Sequence, residues 1–342
     1  MPDPLAETAA RLRALVPAFP DTYDVVLGEV SGPGWVRLDA APVARWCAEA
    51  RERGNPRRLA SVAAAAVGGA LAHAVLARVT AALAVDGRAW DLGADALTVH
   101  RAPEGHLDRV AVRPPVWVVA GDPAAPAAPQ AATPVPPVSS AARSSAARSS
   151  AARSSAAPSS AAPSPAAPSP AAPSPAAPPA AVAPAALVRV FPDEAALLDA
   201  VAAAAVATLA PLLDEVRAAT RFGLVPLWNA AGDAVRLTAA MAPRYAGRPA
   251  PPGLATALLD ALVAHGAPIR GRGDDQPVPG RPERVPVRAA CCLAYRTDPP
   301  VARPSDALCT TCPLLPGPER ARRYAAWLDR MPRITGSAPA DR

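Results

Sequence analysis

Runs of apolar positions at helical spacing alternate along the chain with short stretches rich in β-branched residues, and this pattern predicts the elements of the fold. Leu5 to Leu15, Val43 to Arg53 and Arg57 to Val85 read as helices, the last expected to divide or kink near Gly68 and Gly69, where helix propensity is lowest. Asp193 to Thr220 opens on acidic residues and closes on Arg217. Between them Leu197, Leu198, Val201, Leu209, Leu212, Leu213 and Val216 recur near the 3.6-residue period of a buried helix. Leu254 to His265 reads as a further helix with Gly266 as its C-cap, and Glu319 to Asp329 as a short one with Tyr324, Trp327 and Leu328 along one side. Ala96 to His100 and Arg109 to Val119 look like strands around the HRAPEGHLD turn. Pro114 and Pro115 lack the N–H that a ladder needs, which places the second strand at a sheet edge. The expected class is α+β, predominantly helical.

From about Pro123 to Ala186 this patterning stops, and the chain settles into a five-residue repeat of SSAAR, SSAAP and SPAAP. Such a sequence has no large apolar side chain to bury and too many prolines for a helix, so 123–186 is expected to be a disordered, locally polyproline-like linker. The flanking parts, 1–122 and 187–342, together reach about 280 residues, the size of one domain. Lengthening a surface loop from about six to about sixty residues adds only ~2 kcal/mol of closure entropy. A single domain interrupted by a long insertion is therefore expected. Two separate domains remain open, because the N-terminal part has enough apolar residues for a small core.

Every basic residue is an arginine, and the net charge of +6 over 342 residues falls to +3 once Arg143, Arg148 and Arg153 of the repeat are set aside. A nucleic-acid binder would show a dense basic stripe with aromatics; none is visible, and no nucleic-acid partner is expected. Ser61 to Val85 is long enough to span a membrane, yet it is mostly alanine and carries His73, Arg78 and Thr80. A charge at mid-membrane costs roughly 2.5–3.5 kcal/mol on insertion scales, so a buried helix is expected and no stable membrane insertion. The opening residues lack the basic start and apolar core of a signal peptide, which points to the reducing cytosol. There is no G-x-G-x-x-G after a strand, no G-x4-G-K-[ST] and no G-x-S-x-G. His73, His100, His106 and His265 fall in different predicted elements and make no metal pair.

Chemistry concentrates near the C-terminus, where four of the five cysteines, Cys291, Cys292, Cys309 and Cys312, fall within 22 residues. The pattern Cys-Cys-x16-Cys-x2-Cys offers four soft thiolates without a histidine, a donor set for zinc or an iron–sulfur cluster. A single zinc is usually gripped by two Cys-x2-4-Cys knuckles, whereas vicinal side chains diverge in extended backbone and suit a wider core with two metal atoms. A [2Fe–2S] centre is expected; structural zinc and disulfides or free thiols stay open, the disulfides disfavoured by a reducing compartment. Cys47, alone in RWCAEARER, reads as a small buried apolar residue.

The run RAACCLAYR followed by LCTTCPL resembles the C-terminal signature of the FhuF-type ferric siderophore reductases, a vicinal cysteine pair, a nearby aromatic with arginine, and Cys-x2-Cys. Tyr295 and Arg296 stand in the aromatic-plus-arginine place. LVPLWNAAGDAV resembles a second family segment, with Trp228 and Asn229 adjacent where the family's pattern spaces them, and the alanine-rich helix around SVAAAAVGGALAHAVLARVTAALAVDG is a compositional echo. The 16-residue gap between the cysteine pairs is longer than in the family, with PPVARPSD as the evident insertion.

The resemblance implies a cytosolic reductase that holds a [2Fe–2S] cluster on Cys291, Cys292, Cys309 and Cys312, within a cluster segment at 288–315. It would pass one electron to a ferric siderophore and release Fe(II). With no nucleotide or flavin motif, an external electron donor is required, a ferredoxin or a flavoprotein. Positive charge from the flanking Arg288, Arg296 and Arg303 would favour the reduced cluster, unless they point to solvent. Trp228, Asn229, Arg244 and Tyr245 are candidate siderophore contacts, since Trp and Tyr offer flat apolar faces while Arg and Asn hold chelate oxygens; Trp228 reads equally as core. The rival reading is a siderophore-binding or scaffold protein stapled by a structural zinc or iron–sulfur site on the same four cysteines.

Overall fold

The computed structural model describes residues 4–15, 24–53, 59–125, 188–271, 273–293, 296 and 308–330. The linker expected at 123–186 lies almost wholly outside the described residues. Helices dominate an α+β fold: α1 (Pro4–Ala14), α2 (Val43–Glu52), α3 (Ala60–Ala72), α4 (Arg78–Asp86), α5 (Glu194–Thr220), α6 (Leu224–Tyr245), α7 (Leu254–Ala264) and α8 (Gly317–Arg330). α3 and α4 are one continuous rod joined by a π-turn at His73–Ala77, and α2 to α7 pack on one another as a helical body.

Beside this body lie two sheets. One has the order β1-β5-β4-β2 (Val25–Leu27, Leu107–Val112, Thr98–Arg101, Trp35–Arg37), and the other the order β3-β6-β7 (Ala89–Trp90, Val116–Val119, Val188–Phe191). The stretch 109–119, expected as one edge strand, is instead two strands in different sheets, each lying between two neighbours. The reason is Pro114–Pro115, which occupies the connection where no ladder bond is needed, so the chain changes sheets there. β6 and β7 pair in parallel from Val116↔Val188 to Val119↔Phe191, which joins the two sides of the undescribed tract. One hydrophobic cluster likewise takes residues from both sides, Leu71, Leu76 and Val99 with Leu209, Leu213 and Val235.

The glycine pair of α3 does not break the helix. A Cβ on Gly68 would come within 2.5 Å of Leu227, so the glycine is where α3 and α6 approach closely, and the irregularity falls one turn later at His73. α5 begins as its sequence implies: Asp193 caps it, accepting the N–H of Ala196 at 2.8 Å. Ala60–Asp86 and Glu194–Thr220 are long and apolar enough to cross a membrane, but 61% and 50% of their most apolar windows are buried inside this fold. α6 has no counterpart among the elements expected from the sequence. Pro226 is tolerated because it stands in the first turn, where no N–H is bonded, while Pro243 lies near the C-terminal end of the helix.

Candidate metal centre

The cysteine-bearing segment is laid against α6 by a polar stripe. Asn229, Asp233 and Arg236 lie four and three residues apart, on one helix face. Asn229 Oδ1 accepts the N–H groups of Arg270 and Gly271 at 3.0 and 3.1 Å. Asp233 is 3% exposed; its Oδ1 accepts the N–H of Ala289 at 2.8 Å and its Oδ2 that of Ala290 at 3.0 Å. Arg236 donates to the Val287 carbonyl at 2.9 Å and to Asp275 at 2.6 Å. A carboxylate facing two successive N–H groups makes strong, charge-assisted bonds, and these fix the backbone immediately before Cys291. Burial raises the Asp233 pKa, while the two N–H groups, Arg288 and Arg236 pull it the other way. The approach requires Gly273, at φ +59°, where a Cβ would collide with Arg236 and the Val287 carbonyl.

α8 and the hairpin of β8 (Asp275–Pro277) and β9 (Arg284–Pro286) hold the other cysteine loop. Arg320, 8% exposed, donates to the carbonyls of Cys312, at 3.1 Å, and Leu315, and to Gln276 Oε1 at 2.8 Å. Gln276 in turn donates to the Gly317 carbonyl at 2.7 Å, and Arg323 to the Leu308 carbonyl at 3.3 Å. The N–H of Cys312 closes the Cys-x2-Cys turn onto the Cys309 carbonyl at 3.0 Å. The N–H of Arg288 bonds the Thr311 carbonyl at 3.0 Å, tying the two cysteine loops together.

All five cysteines are free thiols. The four of the segment lie near enough to act on one another electrostatically: Cys309 is influenced by Cys292, and Cys291 by both Cys312 and Cys292. The neighbouring Cys292, followed by burial, lifts the Cys309 thiol pKa well above its ordinary value, with Arg288 acting in the opposite direction. Burial also raises Cys291, against a backbone hydrogen bond from Leu293. Leu293 takes φ +57°, an uncommon conformation for a leucine, and so turns the chain directly after the vicinal pair. Among the described residues no three His, Cys, Asp or Glu side chains gather closely enough around one point to hold a metal ion. In number and softness, the donor set fits a two-metal cluster.

The candidate siderophore contacts do not come together. Trp228 and Tyr245 are each 2% exposed in the core, and Asn229 is engaged with the backbone of Arg270 and Gly271. Arg244 pairs with Glu283 on the wall of a cavity of about 580 Å³ that also meets Met241, Arg284 and Tyr324. Arg288 is half-buried and Arg296 exposed, while Tyr295 and Arg303 lie outside the described residues. Cys47 is buried, its thiol pushed up to about 11, first by burial and then by Glu215.

Sequence reasoning missed Asp233, Arg236, Gln276 and Arg320, all of which act on backbone atoms. It also missed His73, which lines a cavity of about 170 Å³ with Gly69, Asp233, Arg288, Cys291 and Cys292. Burial, then the charges of Arg288 and Arg78, lower the His73 pKa to about 4, so the imidazole there is neutral. The available signal was the spacing of Asn229, Asp233 and Arg236 in an otherwise apolar run. No protein-family model, no curated protein and no solved structure matches the chain.

Proposed function

We propose that Cys291, Cys292, Cys309 and Cys312 hold a [2Fe–2S] cluster and that the protein reduces ferric siderophores by one electron. The observation that carries this reading is that two loops bearing four free thiols are tied together, the Arg288 N–H to the Thr311 carbonyl, on a backbone fixed from two sides by Asp233 and Arg320. When bound, the cluster supplies a one-electron couple. The chain's own residues hold and bias it. Asp233 and Arg320 fix the two cysteine loops, Leu293 directs a backbone hydrogen bond at the Cys291 sulfur, and Arg288 adds positive charge that favours the more negative reduced state.

Hydroxamate and catecholate oxygens are hard donors that hold Fe(III) far better than Fe(II), so adding one electron to the chelated iron loosens it. That electron comes from an external carrier, a ferredoxin or a flavoprotein, since the sequence has no nucleotide or flavin motif.

The test uses the chemically reduced protein. Mixed with a ferric siderophore, it should reoxidise in proportion to the Fe(II) caught by a ferrous chelator. The gallium chelate of the same siderophore, equal in charge and similar in size but unable to accept the electron, should leave it reduced. Persistence of the reduced protein beside ferric siderophores of several donor types would sink the reductase reading and leave the four-cysteine site as a structural staple.

A further inference from the structure

α6, α7, α8 and the β8–β9 hairpin enclose a cavity of about 580 Å³, within the roughly 300–1,000 Å³ common for small-molecule sites. Its floor is apolar: Ala239, Met241, Leu259, Tyr324 and Leu328 are all buried. The rest of the wall is charged, with Arg236, Arg244 and Arg284 set against Asp274, Asp275 and Glu283, so that among the described residues the charges cancel. The cavities at Cys291 and at Trp46, about 170 and 250 Å³, fall below the range for a whole ligand.

This cavity holds hydrogen-bond donors in reserve. A guanidinium has five N–H groups, and Arg244 engages Glu283 through one nitrogen while Arg284 engages the Asp275 carbonyl through one. On the floor, among the described residues, the Tyr324 O–H finds the Met241 thioether at 3.1 Å, a weak acceptor that a ligand oxygen would displace. Burial raises the Tyr324 pKa to about 12, so the hydroxyl keeps its proton.

The cavity also adjoins both cysteine loops. Arg236 on its wall donates to the Val287 carbonyl at 2.9 Å, and Val287 precedes Cys291 by four residues, at most about 14 Å of chain. Tyr324 stands one turn, about 6 Å, along α8 from Arg320, which donates to the Cys312 carbonyl at 3.1 Å.

We infer that this cavity is the binding site of the ferric chelate, whose ligand arms cover the apolar floor and whose outward oxygens accept from Arg244, Arg284 and Tyr324. The inference rests on the reductase reading above. An apolar floor with a few placed donors is the make-up of a small-molecule site, and charge-assisted donors suit chelate oxygens. In the encounter the reduced cluster loses one electron and the chelated Fe(III) gains it. No bond to the protein forms or breaks.

The experiment uses the full chain with its cluster, its visible spectrum recorded first. Gallium complexes of a cyclic trihydroxamate, a linear trihydroxamate and a tricatecholate are titrated into it calorimetrically, and the one that wild type binds tightest is the probe. Ala240→Phe, at an exposed position of the cavity wall, should weaken the probe about 10-fold by occupying its space. Arg284→Ala should weaken it about 10-fold and Tyr324→Phe about 3-fold, each by removing a donor. Ala257→Phe, exposed on α7 and outside the cavity lining, should bind like wild type. In stopped flow with the matching ferric complex, the concentration that half-saturates reoxidation of the reduced protein should rise about 10-fold in Arg284→Ala, with the limiting rate near wild type.

Equal affinity for the probe in wild type, Ala240→Phe and Arg284→Ala would overturn the inference. So would the same loss in Ala257→Phe, a bleached spectrum in the cavity variants, or a fall in limiting rate with half-saturation unchanged, which would assign these residues to the cluster. Gallium complexes that bind wild type while its reduced form persists beside the ferric ones overturn the reductase reading; a loss of affinity in the variants then keeps the cavity as a chelate site. A wild type that binds none of the three complexes overturns the cavity assignment.

Discussion

Leu213 in α5 and Asp233 in α6 are both buried, and each represents a different way of holding a region in place. Leu213 belongs to the helical body, where Leu71, Leu209, Val216 and Val235 reach zero exposure and apolar contact is the organising force. Asp233 belongs to the seam between that body and the cysteine-bearing segment. There Asn229, Asp233, Arg236, Gln276 and Arg320 direct side-chain donors and acceptors at backbone atoms of 270–317. The difference teaches how a segment with little core of its own presents four sulfurs at fixed positions. Directional bonds set its place, so it is the part that can be disordered while the body stays folded.

The largest expected effect that separates the regions is on the sulfurs. Replacing any one of Cys291, Cys292, Cys309 or Cys312 by Ser should bleach the visible spectrum or shift it, with the far-UV circular dichroism of the body unchanged. Cys47→Ser should leave the colour intact; bleaching by Cys47→Ser alone would contradict the ligand assignment.

Next comes the body itself. Leu213→Ala should cost about 2–5 kcal/mol in urea unfolding, because it empties a fully buried site. The spectrum of the folded fraction should not change.

Asp233→Ala tests the seam by leaving the N–H groups of Ala289 and Ala290 without their acceptor. Its cost should be about 1–3 kcal/mol, with cluster occupancy falling at least as much as thermal stability. Equal occupancy in Asp233→Ala and wild type would show that the seam does not position the sulfurs.

The smallest effect is a pH dependence at the far end of the seam. Arg244 on α6 holds the Glu283 carboxyl below its ordinary pKa of 4.5, chiefly through its hydrogen bond. A depressed carboxylate stabilises the fold above the unfolded pKa and loses that contribution as pH falls through the folded one. Amide exchange in the β8–β9 hairpin should therefore quicken below about pH 4.5, and Arg244→Met should abolish that step. Because both side chains are partly exposed, the change should be slight.

The two regions also differ in how far the sequence reveals them. α5 was legible because its cap, acidic first turn and Leu/Val period all agree on one helix. α6 was hidden by Pro226, Gly232 and Pro243, residues that normally punctuate. In the fold Pro226 occupies a first turn, and Gly232 leaves room for Leu259 and Ile269, each 3.4 Å from where its Cβ would be. With α6 hidden, the common face of Asn229, Asp233 and Arg236 was hidden too. Tyr245 then looked like a free aromatic and Trp228 like either a contact or core; both are core residues.

The cysteine spacing was legible as a soft donor set, since ligand type is a property of side chains alone. Its anchoring was not. Hydrogen bonds from the Ala289 N–H to Asp233 and from Arg320 to the Cys312 carbonyl span 56 and eight residues and depend on how α6 and α8 are placed.

The central claim is that the four thiols serve two metal atoms. Anaerobically purified protein, assayed for iron, zinc and acid-labile sulfide alongside its absorption spectrum, tests it most directly. A red-brown protein with about two iron atoms and about two sulfides per chain is the predicted result. A colourless protein with about one zinc and no sulfide would contradict it.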